Sequence, residues 1–231
     1  MAELLPPQDK VLTFNPEAYL VLDSADTFGA GDQTISLWLS WVPPDYQDPA
    51  FASYATSPDS ATILNYDETP DGSQRGSRFW ITNPSNLEVW VGGSSVRPSR
   101  KVDVSDGDWH HLAVTVSRRS GGGYDIEIFH NGASHGGGSI TEGQVVSGSQ
   151  LVLGQRYFGE LNDQFIGQFA DFAVWNRIRS PSQIQSDMND GITGTQAGLV
   201  MHWKLNEAPP GTTHANLVFV DTGGEDFGFN F

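Results

Sequence analysis

Apolar and polar residues alternate with a period of two in residues 34–41. The apolar members of this stretch are Ile35, Leu37, Leu39 and Trp41. Because successive side chains of a β-strand point to opposite faces, the alternation predicts a strand with one face in a core. The same reasoning predicts strands near residues 10–14, 18–22, 62–66, 78–82, 87–91, 111–116, 124–130, 150–153, 168–175 and 199–205.

Dipeptides that tolerate positive φ angles separate several of these strands. They are Asp71-Gly72, Asp106-Gly107 and Asn131-Gly132, and the last of them is the best candidate for a hairpin tip. The glycine runs 121–123 and 136–138 are predicted to be flexible loops, since neither matches a phosphate-binding pattern between a strand and a helix.

One helix is predicted after residue 180. Ser180 is its N-cap, Pro181 its first residue, Gln183 completes a capping box, and Gly191 ends the helix. Many strands with a single short helix near the end exclude a βαβ architecture. The sequence therefore predicts an all-β sandwich in a single domain over residues 1–231, with a recognisable core at about 10–206 and an irregular tail over 207–231.

The composition is consistent with a single hydrophobic core and excludes some classes of binding partner. With 231 residues, of which 38% are hydrophobic and 11% aromatic, the chain is able to bury a full core. The absence of cysteine excludes disulfides and thiolate metal ligands. The net charge of −16 repels nucleic acid phosphates and anionic lipids, so we expect no nucleic acid partner. Acidic loops are able to collect Ca²⁺, although solubility alone would also explain them.

The sequence shows no targeting or membrane-spanning pattern. The residues after Met1 lack a basic stretch followed by an apolar run, and no window approaches the ~18 apolar residues of a spanning helix. We therefore expect no signal peptide and no membrane insertion. Cytoplasmic residence and secretion by a non-classical route both stay open.

A recognisable motif extends this picture. The segment Asp106-Gly107-Asp108-Trp109-His110-His111-Leu112-Ala113, followed by residues 126–132, resembles the D-G-x-W-H-H-[LV]-A and N-G stretches of laminin G-like domains. Similar blocks continue in the same order at residues 151–155, 165–176, 179–184 and 198–205. The resemblance implies a concanavalin A-like fold: an all-β, two-sheet antiparallel jelly-roll sandwich with one short helix.

Within that superfamily, residues 63–66, 79–80 and 91–94 are particularly similar to pentraxins, which carry a paired-calcium site for phosphorylated or carbohydrate ligands. The family's acidic pair after the Leu-Gly-Gln segment is replaced here by Arg156, Tyr157 and Phe158. The resemblance therefore implies at most one Ca²⁺, with oxygens from Asp67, Asp71, Glu160 and Asp163. Solvated loop charges, with Arg156 pairing Glu160 or Asp163, are the alternative.

Aromatic residues supply candidates for ligand contact, because sugar recognition needs a flat aromatic face beside hydrogen-bonding groups. The candidates are Tyr157, Phe158 and Arg156 in the divergent loop, together with Trp90 and Trp38. The tryptophans in the family blocks are expected in the core: Trp80, Trp109, Trp175 and Trp203.

The histidines do not predict a metal site. His110 and His111 are adjacent strand residues, so they point to opposite faces and cannot chelate one ion together. His130, His135 and His202 show no zinc-like spacing.

Together these features favour a lectin-like, calcium-assisted module with a glycan or glycoconjugate as its partner. Because single sugar sites are weak and repetition raises avidity, we expect a homo-oligomer. A structural or adhesive module that contacts another protein is the alternative. Enzymatic activity is not expected: the Glu-x-Asp-x-x-Glu run of laminarinase-like relatives is absent, Asp125-Ile126-Glu127 lacks a third carboxylate, and no Gly-x-Ser-x-Gly sequence occurs.

Overall fold

A computed structural model describes residues 4–7, 11–14, 20–23, 31–45, 61–66, 78–81, 86–91, 94–141, 151–154, 164–205 and 217–220. These residues form strands β1 (Leu12–Phe14), β2 (Leu20–Asp23), β3 (Gln33–Trp41), β4 (Ala61–Tyr66), β5 (Arg78–Ile81), β6 (Leu87–Val91), β7 (Ser94–Val96), β8 (Trp109–Arg118), β9 (Tyr124–His130), β10 (Ala133–Ile140), β11 (Leu151–Leu153), β12 (Gly167–Trp175), β13 (Leu199–Trp203) and β14 (Leu217–Val220). The helix α1 (Pro181–Asp190) lies between β12 and β13.

The strands form two sheets. Sheet A has the order β1-β12-β3-β8-β9-β10, with β13 also paired to β12, and sheet B has the order β14-β2-β11-β4-β5-β6-β7. The pairs are antiparallel except β14 with β2, which is parallel. This is the predicted all-β sandwich with one short helix.

The core lies between the two sheets. The alternating residues of β3, namely Ile35, Leu37, Leu39 and Trp41, share one hydrophobic cluster with Leu64, Val89 and Leu151 of sheet B. The period of two in the sequence therefore identified the inward face correctly.

The predicted strands are all present, with ends shifted by a residue or two. Three others escaped the alternation pattern: β7, β10 and β14, the last of them inside the stretch predicted as an irregular tail. The prediction of a flexible loop at Gly136–138 is wrong, because these glycines are part of β10. A Cβ at Gly137 would overlap the carbonyl oxygen of Ile126 on β9, so this position of β10 must be a residue without a side chain.

The hairpin tip and the helix signals are confirmed. Asn131 and Gly132 connect β9 to β10 with φ angles of 50° and 74°. Ser180 caps α1 and forms the complete capping box with Gln183, and Gly191 is the C-cap. The helix packs on the outer face of sheet A, where Ile184 contacts Phe129 and Ala113, and Met188 contacts Trp38.

Candidate functional site

The outer face of sheet B carries an aromatic and polar surface at its β6–β7 edge. Leu87, Val89 and Val91 point into the core, so Glu88 and Trp90 point to the opposite face. Trp90 is partly buried, and its backbone neighbour on β7 is Ser95, which is exposed. We call Glu88, Trp90, Ser95 and Arg97 the edge surface.

An ion pair orders the edge surface. The Nε atom of Arg97 lies 3.3 Å from Oε1 of Glu88, and the Glu88 side chain is 7% exposed whereas the Arg97 side chain is 56% exposed. Farther along the same face, Thr62 and Asn65 of β4 are buried. Within the described residues, the accessible polar part of this face is therefore at the β6–β7 edge.

The register connects Trp90 with β11. Trp90 lies opposite Arg78, Arg78 opposite Asn65, and Asn65 opposite Val152 of β11. At the usual spacing of ~4.8 Å between strands, three steps put Trp90 about 14 Å from the β11 backbone. Trp90 therefore points to the same face of sheet B as Val152 of β11, the strand that precedes the divergent loop.

Most predicted site residues lie outside the described part of the chain. This applies to the ligand candidates Arg156, Tyr157 and Phe158 and to the metal candidates Asp67, Asp71, Glu160 and Asp163. The prediction that Trp38 contacts a ligand is wrong, because its side chain is 1% exposed and packs against α1 beside Ala170 and Met188. The expected core position of Trp175 is confirmed, whereas Trp109 and Trp203 are partly buried and pack against the core clusters. The side chain of Trp80 lies outside the described residues.

The described residues on either side of the divergent loop are joined to each other, and Gly154 is also joined to β4. The amide of Gly154 donates to the carbonyl oxygen of Ile63 at 3.0 Å, and the amide of Phe165 donates to that of Gly154 at 2.9 Å. Because β11 is antiparallel to β4, the loop leaves at the Ala61 end of β4, opposite to the end that leads to Asp67.

A second polar group, which the sequence did not reveal, lies at one end of sheet A. Nε2 of His110 is 2.9 Å from Oδ1 of Asp106, and Nδ1 of His110 is 2.9 Å from Nε2 of His130. The His130 and His135 rings meet edge to face with centroids 5.3 Å apart. Nδ1 of His135 is 3.3 Å from the carbonyl oxygen of Arg100. We call Asp106, His110, His130 and His135 the histidine cluster.

Strand register brings these residues together. His130 lies opposite Leu112 on β8 and opposite Ala133 on β10, so the β9–β10 hairpin puts His130 and His135 close to each other. His110 lies opposite Leu39 on the inward side, whereas His111 contacts Trp38 on the helix side, which confirms that the two point to opposite faces. The spacing of isolated histidines in the sequence contains no trace of these pairings.

Electrostatics in the histidine cluster favour an ionised Asp106 carboxyl and a neutral His130 imidazole. Partial burial opposes ionisation of Asp106, but the hydrogen bonds from His110 and from the Asp108 amide outweigh it and lower the pKa of the carboxyl. Burial first, and then the charges of His110 and His135, lower the pKa of His130 to about 4. Among the described residues, no group of three or more His, Asp or Glu could hold a metal ion.

Burial has a still larger effect on His111. Desolvation, with a smaller contribution from His130, lowers the pKa of His111 to about 3. Its Nδ1 atom is buried without a hydrogen-bond partner in the structure. His111 is thus a neutral packing residue under physiological conditions.

Comparison with known proteins identifies similar chains. Residues 14–185, well over half of the chain, match the family Laminin_G_3, described as Concanavalin A-like lectin/glucanases superfamily. Neuronal pentraxin-2 of Cavia porcellus is 30% identical over 159 residues, which make up 66% of this chain and 35% of that protein. The match to the rat Sushi, von Willebrand factor type A, EGF and pentraxin domain-containing protein 1 spans 4% of that protein at 26% identity.

Solved structures show the same fold. A putative carbohydrate binding protein from Bacteroides ovatus superimposes with a TM-score of 0.59 at 20% identity, covering 87% of this chain and 52% of that one. The CBM40 of a Ruminococcus gnavus sialidase, bound to α2,3-sialyllactose, gives 0.56 at 12% identity, with 81% and 100% covered. The described residues contain no helix long and apolar enough to span a membrane.

Proposed function

Because this chain belongs to the Concanavalin A-like lectin/glucanases superfamily, we propose that it is a carbohydrate-binding module for a glycan or a phosphorylated, sugar-like ligand. The observation that carries the proposal is the edge surface, where a partly exposed tryptophan adjoins a serine hydroxyl and an ordered carboxylate–guanidinium pair. The two structural neighbours described above are named for carbohydrate binding, but their low identity supports the fold only.

The chemistry of the edge surface suits a sugar. An indole face packs against the C–H groups of a pyranose ring, while hydroxyl, carboxylate and guanidinium groups hydrogen-bond to its hydroxyls. The exposed guanidinium of Arg97 also offers the fork of donors that matches a phosphate. Its pairing with the buried Glu88 carboxylate fixes the direction in which that fork points.

Binding to glycan arrays tests the proposal. We expect Trp90→Ala to weaken binding about tenfold, a loss of ~1.4 kcal/mol, and Trp90→Phe to restore part of it. Val42→Ala changes an exposed apolar residue directly after β3 of sheet A, and this matched control should bind like the wild type. Equal binding by wild type and Trp90→Ala would remove the edge surface from the proposal.

Calcium assistance is the second part of the proposal, with Asp67, Asp71, Glu160 and Asp163 as oxygen ligands. Support comes from the similarity to pentraxins and from two carboxylates, Glu160 and Asp163, within the nine residues 155–163. Because β11 is antiparallel to β4, this loop begins at the Ala61 end of β4, whereas Asp67 follows Tyr66 at the other end. The four residues from Ile63 to Asp67 span about 13 Å, so a shared ion requires the loop to fold back along β4.

Calcium should raise the melting temperature after chelator treatment, since an ion that binds only the folded state stabilises it. The Asp163→Asn variant should lose most of this shift, whereas Asp190→Asn, at the end of α1, should keep it. An unchanged melting temperature of the wild type in millimolar calcium would count against the metal.

A binding module and an adhesive module give different results in the same experiments. If the protein binds no glycan on the array but retains a specific protein partner, the adhesive module is favoured. If it releases reducing ends from a polysaccharide, a hydrolase is favoured. We further propose that the module acts as a homo-oligomer, because avidity compensates for weak single sites. Measuring the molar mass in solution tests this part.

A further inference from the structure

Two side-chain nitrogens on the helix side of sheet A are buried without a hydrogen-bond partner among the described residues. They are Nε1 of Trp38 and Nδ1 of His111, and both side chains are almost fully buried. Since nearly all buried polar groups of folded proteins are hydrogen-bonded, two neighbouring exceptions require an explanation.

The two residues lie directly opposite each other on paired strands. Trp38 of β3 is the register partner of His111 of β8. The carbonyl and the amide of His111 bond to Asn131, on the side away from β3. Trp38 and His111 are therefore a non-hydrogen-bonded pair of the antiparallel ladder, the type in which opposite side chains come closest.

The spacing of the two rings suits a bridging oxygen. The Trp38 and His111 rings meet edge to face with centroids 5.3 Å apart, and the two nitrogens do not bond to each other. Two nitrogens that both bond to one oxygen at ~2.9 Å are at most about 5.8 Å apart. The separation of the rings is compatible with this geometry.

The donors and acceptors are also compatible with water. Nε1 of Trp38 can only donate, whereas Nδ1 of a neutral His111 accepts in one tautomer and donates in the other. A water oxygen accepts two hydrogen bonds and donates two, so it satisfies the pair in either tautomer.

We propose that one buried water molecule bridges Nε1 of Trp38 and Nδ1 of His111 beneath α1. The inference goes beyond sugar binding and does not depend on it. Leaving both nitrogens unpaired costs more free energy than immobilising one water, and buried waters typically bond to two to four polar groups. Because Met188 of α1 packs on Trp38, this water is part of the contact between the helix and the sheet.

Two other polar side chains on the same face supply controls. Nε1 of Trp175, which is equally buried, donates to Oε1 of Gln196 at 3.2 Å. The buried hydroxyl of Ser36 has no partner, but its neighbours across β8 and β12 are Ala113 and Ala173. Ser36 thus has no polar side chain directly opposite, in contrast to Trp38.

Rotating-frame Overhauser spectra of the indole protons test the proposal, because the sign of a cross-peak separates bound water from proton exchange. We expect a dipolar cross-peak between water and the Nε1 proton of Trp38, and none for Trp175. His111→Phe removes one of the two partners and should abolish the Trp38 cross-peak. Ser36→Ala removes a hydroxyl that is able to relay magnetisation from water, and the cross-peak should persist.

Three results would overturn the proposal. They are a wild-type spectrum without the Trp38 cross-peak, its loss in Ser36→Ala, and its persistence in His111→Phe. If His111→Phe does not fold, the carbon-bound Hε1 proton of His111, next to Nδ1, supplies the test in the wild type. It must show a dipolar water cross-peak as well, and its absence would contradict a shared water.

Discussion

At the scale of single residues, a buried ion pair holds the helix to sheet A. The guanidinium of Arg179 donates to both carboxylate oxygens of Asp187 at 2.6–3.0 Å, and it lies 4.9 Å from the centre of the Trp175 ring. Gln196 donates to the same carboxylate and accepts from Trp175 Nε1. Both charged side chains are almost fully buried, so each depends on the other.

Asp187→Ala should therefore destabilise the fold by about 3–5 kcal/mol, because it leaves the Arg179 charge buried without its partner. Urea unfolding measures the change. Asp103→Ala is the control: it removes an exposed ion pair with Lys101 and should cost less than ~1 kcal/mol. Similar losses of unfolding free energy for both variants would mean that burial does not determine how much an ion pair contributes to stability.

His111 predicts how stability depends on pH. Its pKa is lowered to about 3 in the folded protein, so between pH 6.5 and pH 3 the unfolded chain binds the proton more tightly. Stability due to this residue is complete above pH 6.5 and is lost as the pH falls. From pH 7 to pH 5 the loss is about 2 kcal/mol.

Replacing His111 with phenylalanine should remove that part of the acid sensitivity while keeping a ring against Trp38. Unfolding free energies at pH 7 and pH 5 give the slope, with His202→Gln as the control. A slope for His111→Phe equal to that of the wild type would contradict the assignment.

The sequence located single residues better than groups of them. Alternation showed that His110 and His111 face opposite sides, but the histidine cluster requires the β8–β9 register, which pairs Leu112 with His130. That register depends on how many residues the turn between β8 and β9 takes up, here 119–123, and the sequence pattern does not specify this number. The Asn131-Gly132 tip was the one available signal, since it places His130 and His135 on paired strands.

At the scale of elements, strands with strong alternation were predictable and strands without it were not. β10 has the sequence ASHGGGSI, in which glycine replaces the side chains that would form a pattern. β7 has the sequence SSV and β14 the sequence LVFV, and neither alternates between apolar and polar residues. In each case tertiary pairing, rather than local preference, produces the strand.

The glycines of β10 therefore have a packing role that substitution can test. A Cβ at Gly137 would overlap the Ile126 carbonyl, so Gly137→Ala should push β10 from β9 and destabilise the protein by about 1–3 kcal/mol. Gly121 serves as the control, because a Cβ added there would meet no atom within 4 Å. Thermal unfolding of Gly121→Ala should match the wild type or exceed it slightly.

At the scale of the whole molecule, the two sheets differ in what they leave accessible. The outer face of sheet A is covered by α1 and the residues after it, through Ile184, Met188 and Ile192. The outer face of sheet B carries Trp90 and Arg97 at its β6–β7 edge. A ligand site is thus favoured on sheet B, and the histidine cluster lies where residues 97–108 pass from one sheet to the other.

The charge of the whole molecule gives a last prediction. A net charge of −16 repels itself in the compact state, so added salt should stabilise the fold at pH 7 by screening that repulsion. With chelator present to exclude divalent ions, the melting temperature should rise by a few degrees, roughly 2–5 °C, between 10 and 300 mM NaCl. Near pH 4.4, the isoelectric point of the sequence, the same salt should have little effect. A melting temperature that falls with salt at pH 7 would show that exposed ion pairs, such as Lys101 with Asp103, outweigh the net repulsion.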